Sequence, residues 1–164
     1  MKKRAGILML VQLVSVMGSL LFMTAMINGM DGVRNAFYHL YDTVTLVLLL
    51  IVALPSMLVH GIWKDFFRVF QLGKKDRHFS LCEIKKTLLA IELLQKQIIY
   101  GTIMIVGVYA VIILINMDEL SSFGPNMAVD IASLIYMAIS LLFIEPLKVY
   151  TQRYLEDYLA EEED

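Results

Sequence analysis

Four apolar runs, each long enough to cross a bilayer as a helix, constrain this chain more than any other feature. They cover residues 6–27, 44–63, 98–115 and 127–144. About 20 apolar residues span the hydrocarbon core as a helix. Hydrophobic residues make up 59% of the chain, whereas soluble domains have ~45–50%, so a soluble domain of this size has no interior for the excess. The runs predict an all-α integral membrane protein with four transmembrane helices, forming one domain over residues 1–164.

The basic residues indicate which side of the membrane each segment occupies. If the N-terminus is cytoplasmic, Arg34 is the one lysine or arginine of the 14 that falls in an outer loop. Such an excess of basic residues marks the cytoplasmic side. We therefore expect both termini to be cytoplasmic, with a connector over residues 64–97 and a tail over 147–164 on that side. The outer loops are then 28–43 and 116–126.

Local signals in the connector predict where its main helix begins. Ser80 and Glu83 have the spacing of a capping box, and Phe79 and Ile84 flank them as a hydrophobic staple. Neither proline nor glycine follows until residue 101, so the helix should run on into the third span. At 1.5 Å per residue it projects ~25 Å into the cytoplasm.

The fourth helix should also extend into the cytoplasm. An apolar stripe at helical spacing continues after Pro146. It consists of Tyr150, Tyr154, Leu155, Tyr158 and Leu159. The junction of the second span and the connector differs: Trp63, Phe66, Phe67 and Phe70 lie there among basic residues, a pattern that suits the headgroup zone.

Polar side chains form one stripe on each of the last two spans. Residues seven apart drift by only ~20° around a helix and so share a face. Two such stripes could enclose a narrow file of water, or could serve close helix packing and interhelical hydrogen bonds. Both alternatives remain open from the sequence. The third helix, which extends beyond its span at both ends, carries Gln95, Thr102, Tyr109 and Asn116, and the fourth helix carries Asp130, Ser133, Met137 and Ser140.

Asp130 is the polar residue that packing explains least. It lies about one turn inside an otherwise apolar helix. A charge there costs at least ~2.5 kcal/mol even on permissive insertion scales, so it requires a neutral form, a partner or water. Asp130 therefore marks a candidate ion path. Glu145 lies near the inner headgroups, where we expect it to reach water or to pair with a basic residue.

The segment from Leu114 to Val129 resembles a known family. It reads LINMDELSSFGPNMAV, similar to the loop between the last two spans of the flagellar stator subunit in the MotA/TolQ/ExbB proton channel family. Gly124, Pro125 and Met127 carry the resemblance at the start of the last helix, and Pro146 resembles its exit. The chain lacks the large cytoplasmic domain of the stator subunit, and Asp130 stands where that subunit usually has a small apolar residue.

This resemblance implies a function and partners. Four-span subunits of the family form a ring around single-span helices of a partner similar to MotB, ExbD or TolR, in the bacterial inner membrane. Proton flow drives relative rotation, and the last two spans line the path. The candidate ion path, for protons or sodium, is then Thr102, Tyr109, Asp130, Ser133 and Ser140. The alternative is a non-conducting membrane scaffold that has lost ion transport.

Other classes of function find no support in the sequence. The three histidines and one cysteine are widely scattered and lack the spacing of metal ligands. No glycine-rich phosphate loop and no Ser/His or Cys/His pair indicates an enzyme. We expect no cofactor and no nucleic-acid partner, and expect the partners to be other copies of the chain, a single-span protein and the lipid bilayer.

Overall fold

The computed structural model describes residues 7, 10–19, 21–22, 43–59, 61–72, 79–115 and 120–163. These residues form helices and turns without a strand, which confirms the all-α prediction. The helices are α1 (Leu10–Ser19), α2 (Thr43–Val59), α3 (Trp63–Arg68), α4 (Leu81–Ile115) and α5 (Leu120–Glu163).

Two of these helices, α4 and α5, are long and apolar enough to cross a membrane. They contain 35 and 44 residues, which gives lengths of about 52 and 66 Å. Only 22% of the most apolar part of α4 and 28% of that of α5 is buried. The core helix of a soluble protein would be mostly buried, so these faces suit lipid or another protein. In their described parts α1 and α2 are apolar but shorter, and the remainder of the predicted first span, 6–27, lies largely outside the described residues.

The antiparallel pair of α4 and α5 forms the centre of the molecule. Two contacts join the helices at matching heights: Gln95 with Glu145, and Glu92 with Lys148. Around them lies one buried apolar cluster that also takes in the end of the α3 segment. Its members are Val69, Leu72, Phe79, Ile84, Ile91, Ile98, Ile144, Leu147 and Tyr150.

The predicted second span is too long at its inner end. Helix α2 ends at Val59, and Gly61 follows with a φ of 65°. The Ile62 amide donates to Met57 and the Gly61 amide to Leu58, the pair of bonds that closes a helix with a left-handed glycine. Trp63 therefore begins the separate helix α3 and is not the last residue of the span.

The predicted start of α4 is confirmed. The Ser80 amide donates to Glu83 Oε2 at 3.0 Å, and the Glu83 amide donates to Ser80 Oγ at 3.4 Å, as a capping box requires. Phe79 and Ile84 lie in the same buried cluster. Helix α4 then runs without a break to Ile115, as the sequence predicts.

Helix α5 begins earlier than predicted. Of the expected outer loop, residues 120–126 are helical, and 116–119 lie outside the described residues. Gly124 and Pro125 are therefore inside α5 rather than before it. Pro125 is the sixth residue of the helix, so its missing amide removes one backbone hydrogen bond from the first turns. The helix also continues through Pro146 to Glu163. In its tail the predicted stripe packs on the core except for Leu159, which is 40% exposed.

Candidate functional site in the α2, α4 and α5 bundle

Asp130 lies one turn before Ser133 on α5 and is 7% exposed. Its Oδ1 atom is buried and has no hydrogen-bond partner among the residues that the structure describes. Buried polar atoms in native proteins are nearly always hydrogen-bonded, and one that is not requires an explanation such as an ion, water or a catalytic role. The structure thus leaves this carboxyl open to a proton, a small cation, water or a partner.

Ser133, one turn after Asp130, forms a contact between α5 and α2. The Thr45 and Ser133 hydroxyl oxygens are 3.5 Å apart, and both side chains are fully buried. Sequence reasoning predicted Ser133 as a site residue but missed Thr45. A single threonine near the start of an apolar run gives no signal of its own, and its partner is 88 positions away in the chain.

Thr102 follows Gly101, where α4 packs tightly against α2. It is fully buried, and its hydroxyl donates to the Ile98 carbonyl at 2.8 Å. The preceding residue, Gly101, is also buried, and a Cβ atom there would lie 2.8 Å from Cγ1 of Val52. The Thr102 oxygen keeps acceptor capacity although its proton is used, but Thr102 and Asp130 are not hydrogen-bonded to each other.

The remaining predicted residues are less enclosed. Tyr109 on α4 and Ser140 on α5 are half-buried, and Met127 is half-buried near the start of α5. Met137, which shares the α5 stripe, packs against the apolar cluster. Asn116 lies outside the described residues. The structure therefore brings Ser133 together with Thr45 and buries Thr102 and Asp130, whereas Tyr109 and Ser140 are only half-buried.

A second polar contact lies farther along the α4–α5 pair. Gln95 is buried, and its Nε2 donates to Glu145 Oε2 at 2.6 Å. Of the two alternatives expected for Glu145, the structure agrees with the first, because its side chain is exposed. The neighbouring base on α5, Lys148, pairs with Glu92 at 3.4 Å. Glu145 borders two cavities of about 460 and 650 Å³. Its carboxyl is accessible on one side and held by an amide on the other.

The groups gathered here are one buried carboxyl and several hydroxyls, which suit proton exchange and hydrogen bonding. In the described ranges no three His, Cys, Asp or Glu side chains come together as a possible metal site. A lone carboxyl near hydroxyl groups can take up and release a proton, or bind a partly hydrated small cation. It can equally hydrogen-bond to a polar side chain of another protein.

Comparison with family models, with curated proteins and with solved structures finds no match for this chain.

Proposed function

We propose that this chain is a membrane subunit of a proton or sodium channel of the MotA/TolQ/ExbB type, in which ion flow is coupled to motion of a partner helix. The proposed subunit is a multi-pass protein of the bacterial inner membrane with four spans and cytoplasmic termini. Copies associate in a ring around a single-span partner. The sequence resemblance over residues 114–129 supports the family, and the basic residues on one side support the orientation.

The observation that carries the proposal is the buried Oδ1 atom of Asp130, which has no hydrogen-bond partner within the described part of the chain. An ionisable side chain within a membrane helix is by default a functional residue, since its insertion is unfavourable. On this view Asp130 binds the ion, while Thr102, Tyr109, Ser133 and Ser140 provide oxygen atoms along the path. The pair of Gln95 and Glu145 would lie on its cytoplasmic side.

A second candidate is a non-conducting scaffold, and a specific observation favours it. Two hydroxyls of the supposed path already have protein partners: Thr102 donates to its own helix, and Thr45 lies within 3.5 Å of Ser133. Hydroxyls bound in this way serve helix packing as well as conduction. In a scaffold, Asp130 would hydrogen-bond to the partner helix.

Ion flux in proteoliposomes distinguishes the two. The vesicles would contain the full chain with the single-span protein that copurifies with it, a pH-sensitive dye and an imposed potassium diffusion potential. For a proton channel we expect inward flux that falls at least tenfold in Asp130→Asn, whereas Gly107→Ala on the exposed face of α4 keeps it. To test sodium as the transported ion, sodium replaces potassium in the solution outside the vesicles, and a sodium-sensitive dye measures its entry.

Two results would contradict the channel. Equal flux in Asp130→Asn and in the unaltered chain would show that Asp130 is not on the ion path. Absence of both proton and sodium flux from the unaltered complex would leave the scaffold as the function.

A further inference from the structure

A cavity of about 650 Å³ lies between the second half of α5 and the N-terminal segment. Its volume falls within the ~300–1,000 Å³ of small-molecule sites. Most of its wall is apolar, and on that wall Ile7, Leu142 and Val149 are 51%, 46% and 40% exposed. Exposed large apolar side chains around a hollow of this size suit a ligand that contains hydrocarbon.

The α5 wall of this cavity changes its chemistry in a fixed order along the helix axis. Leu142, Pro146 and Val149 come first, at the cytoplasmic end of the apolar part of the helix. Arg153 follows one turn after Val149, and Asp157 one turn after Arg153. At 100° per residue the five positions fall within about 80° of one another. The wall thus presents an apolar surface, then a cation and then an anion, and the two charges are ~6 Å apart along the axis.

The two charges are available to a ligand. Arg153 and Asp157 are exposed, and neither forms an ion pair with any residue that the structure describes. Glu145 also borders the cavity, but its Oε2 atom accepts a hydrogen bond from Gln95 of α4 at 2.6 Å. Glu145 and Arg153 are separated by about 12 Å along the axis. An anionic group of a ligand is therefore attracted toward Arg153 and away from Glu145.

The height of these charges fits the inner headgroup layer. Arg153 lies nine residues after the predicted end of the span at residue 144, or about 13 Å along the axis. Side chains on a helix tilt toward its N-terminus, which for α5 is the direction of the bilayer, and long basic side chains reach the interface in this way. The Arg153 side chain therefore extends toward the phosphate layer, and Asp157 lies one turn farther out.

We propose that this cavity binds one phospholipid whose headgroup carries a primary ammonium group, such as phosphatidylethanolamine. Its hydrocarbon, phosphate and ammonium follow one another in the order in which the wall presents apolar surface, cation and anion. Arg153 donates hydrogen bonds to the phosphate, as a planar guanidinium does to such oxygen atoms, and Asp157 accepts from the ammonium. One acyl chain packs on Leu142 and Val149. The inference goes beyond ion conduction and requires only that α5 crosses the membrane.

Native mass spectrometry of the full chain tests the site. The protein is purified in a delipidating detergent and titrated with phosphatidylethanolamine, phosphatidylglycerol or phosphatidylcholine, all with the same acyl chains. We expect one phosphatidylethanolamine per copy of the chain, bound at least tenfold more tightly than phosphatidylglycerol, which has a phosphate but no ammonium. Phosphatidylcholine should also bind more weakly, because its quaternary ammonium has no N–H group to donate to Asp157.

Charge variants assign the two ends of the headgroup. Arg153→Gln should weaken phosphatidylethanolamine and phosphatidylglycerol at least tenfold, because both contain the phosphate. Asp157→Asn should weaken only phosphatidylethanolamine and so abolish its advantage. The matched controls do not border the cavity and should bind as the unaltered chain does. They are Lys86→Gln, exposed on α4 within about 2 Å of the height of Arg153, and Glu156→Gln, exposed beside Asp157.

Filling the cavity distinguishes a bound lipid from lipids that only surround the helices. Val149→Trp enlarges a side chain of the apolar wall without changing a charge, and it should weaken phosphatidylethanolamine at least tenfold. Leu89→Trp is the control, because Leu89 is 59% exposed on α4 and does not border this cavity. The melting temperature of each variant shows whether it has folded.

Two results would overturn the proposal. Equal binding of phosphatidylethanolamine and phosphatidylglycerol by the unaltered chain would show that the charges of the wall do not select a headgroup. Unchanged binding in Val149→Trp would show that a protein segment, and not a lipid, fills the cavity. The test is independent of ion flux: selective binding by a chain that carries no ions would support the lipid site while contradicting the channel.

Discussion

Asp130 and Glu83 are two carboxylates on helices with opposite surroundings. Glu83 accepts hydrogen bonds from the Ser80 amide at 3.0 Å and from the Ser80 hydroxyl at 3.2 Å. Asp130 has a buried oxygen without a described partner. A satisfied carboxylate at a helix start stabilises the fold, whereas an unsatisfied buried one opposes it. The capping role of Glu83 was predictable because its partner, Ser80, is three residues away. From the sequence, Asp130 could be recognised only as an unexplained acid in an apolar helix.

Glu83 should make the stability of the helix that it caps, α4, depend on pH. The Ser80 amide, then the Ser80 hydroxyl, hold the pKa of Glu83 below its ordinary value of 4.5, and Arg68 and Lys86 act in the same direction. The carboxylate therefore contributes stability above pH 4.5, and the contribution is lost as pH falls through the lower pKa of the folded state. We expect Glu83→Gln to lower the melting temperature at pH 7, with the difference vanishing at strongly acidic pH.

Circular dichroism in detergent from pH 7 to pH 2 measures this difference. In a Ser80→Ala background the effect of Glu83→Gln should be smaller at every pH, because the hydroxyl partner of the carboxylate is gone. A difference that grows as the pH falls would show that Glu83 is not held as a carboxylate.

Replacing Asp130, whose Oδ1 finds no partner among the described residues, should not destabilise the fold. A buried polar group without a hydrogen bond costs about 1–3 kcal/mol, and alanine is the best helix former. We expect Asp130→Ala to raise the free energy of unfolding by about 1 kcal/mol, net of the small cavity. Ser133→Ala, which removes a hydroxyl that lies beside Thr45, should lower it by about 1 kcal/mol. Chemical unfolding in mixed micelles gives both values, and a larger loss in Asp130→Ala than in Ser133→Ala would reveal a stabilising partner for the acid.

At the scale of elements, helix features that depend on neighbouring residues could be predicted from the sequence, whereas features that depend on backbone conformation or on distant residues could not. The start of α4 followed from Ser80 and Glu83, and its length from the absence of helix breakers. The end of α2 was missed because the left-handed conformation of Gly61 depends on two backbone bonds rather than on the apolar pattern. The contact of Gln95 with Glu145 spans 50 positions, and single-helix periodicity cannot show which residues of another helix lie opposite.

The approach of α2 to α4 should tolerate no side chain at position 101. Because a Cβ at Gly101 would lie 2.8 Å from Val52 Cγ1 and a β-branched valine has little rotamer freedom in a helix, Gly101→Ala should force the helices apart. We expect a loss of about 1–3 kcal/mol in the free energy of unfolding, and at least partial recovery on adding Val52→Ala.

Gly107 is the matched control on the same helix. A Cβ there meets no described atom within 4 Å, so Gly107→Ala should be neutral or stabilising by up to ~1 kcal/mol through helix propensity. Equal losses at the two glycines would show that the α2–α4 contact does not limit position 101.

At the scale of the whole molecule, the proposed orientation places Cys82 in the cytoplasm. It is exposed and is the only cysteine, so a membrane-impermeant maleimide should label it in inside-out vesicles and not in intact cells. A chain with Cys82→Ala and Arg34→Cys, which moves the thiol to the predicted outer loop, should show the reverse. Labelling of Cys82 from outside intact cells would contradict cytoplasmic placement of the 64–97 connector.

The unbroken length of α5 has a mechanical consequence. From Asp130 to Glu163 the helix runs for 34 residues, or about 50 Å, so it can act as a shaft that transmits a small twist at the acid to the tail. Pro146 lies near the middle of this shaft, and its missing amide leaves the carbonyl of Leu142 without its usual helical partner. The helix is therefore weakest at Pro146, where its most apolar part meets its charged tail, and an applied torque would deform it there first.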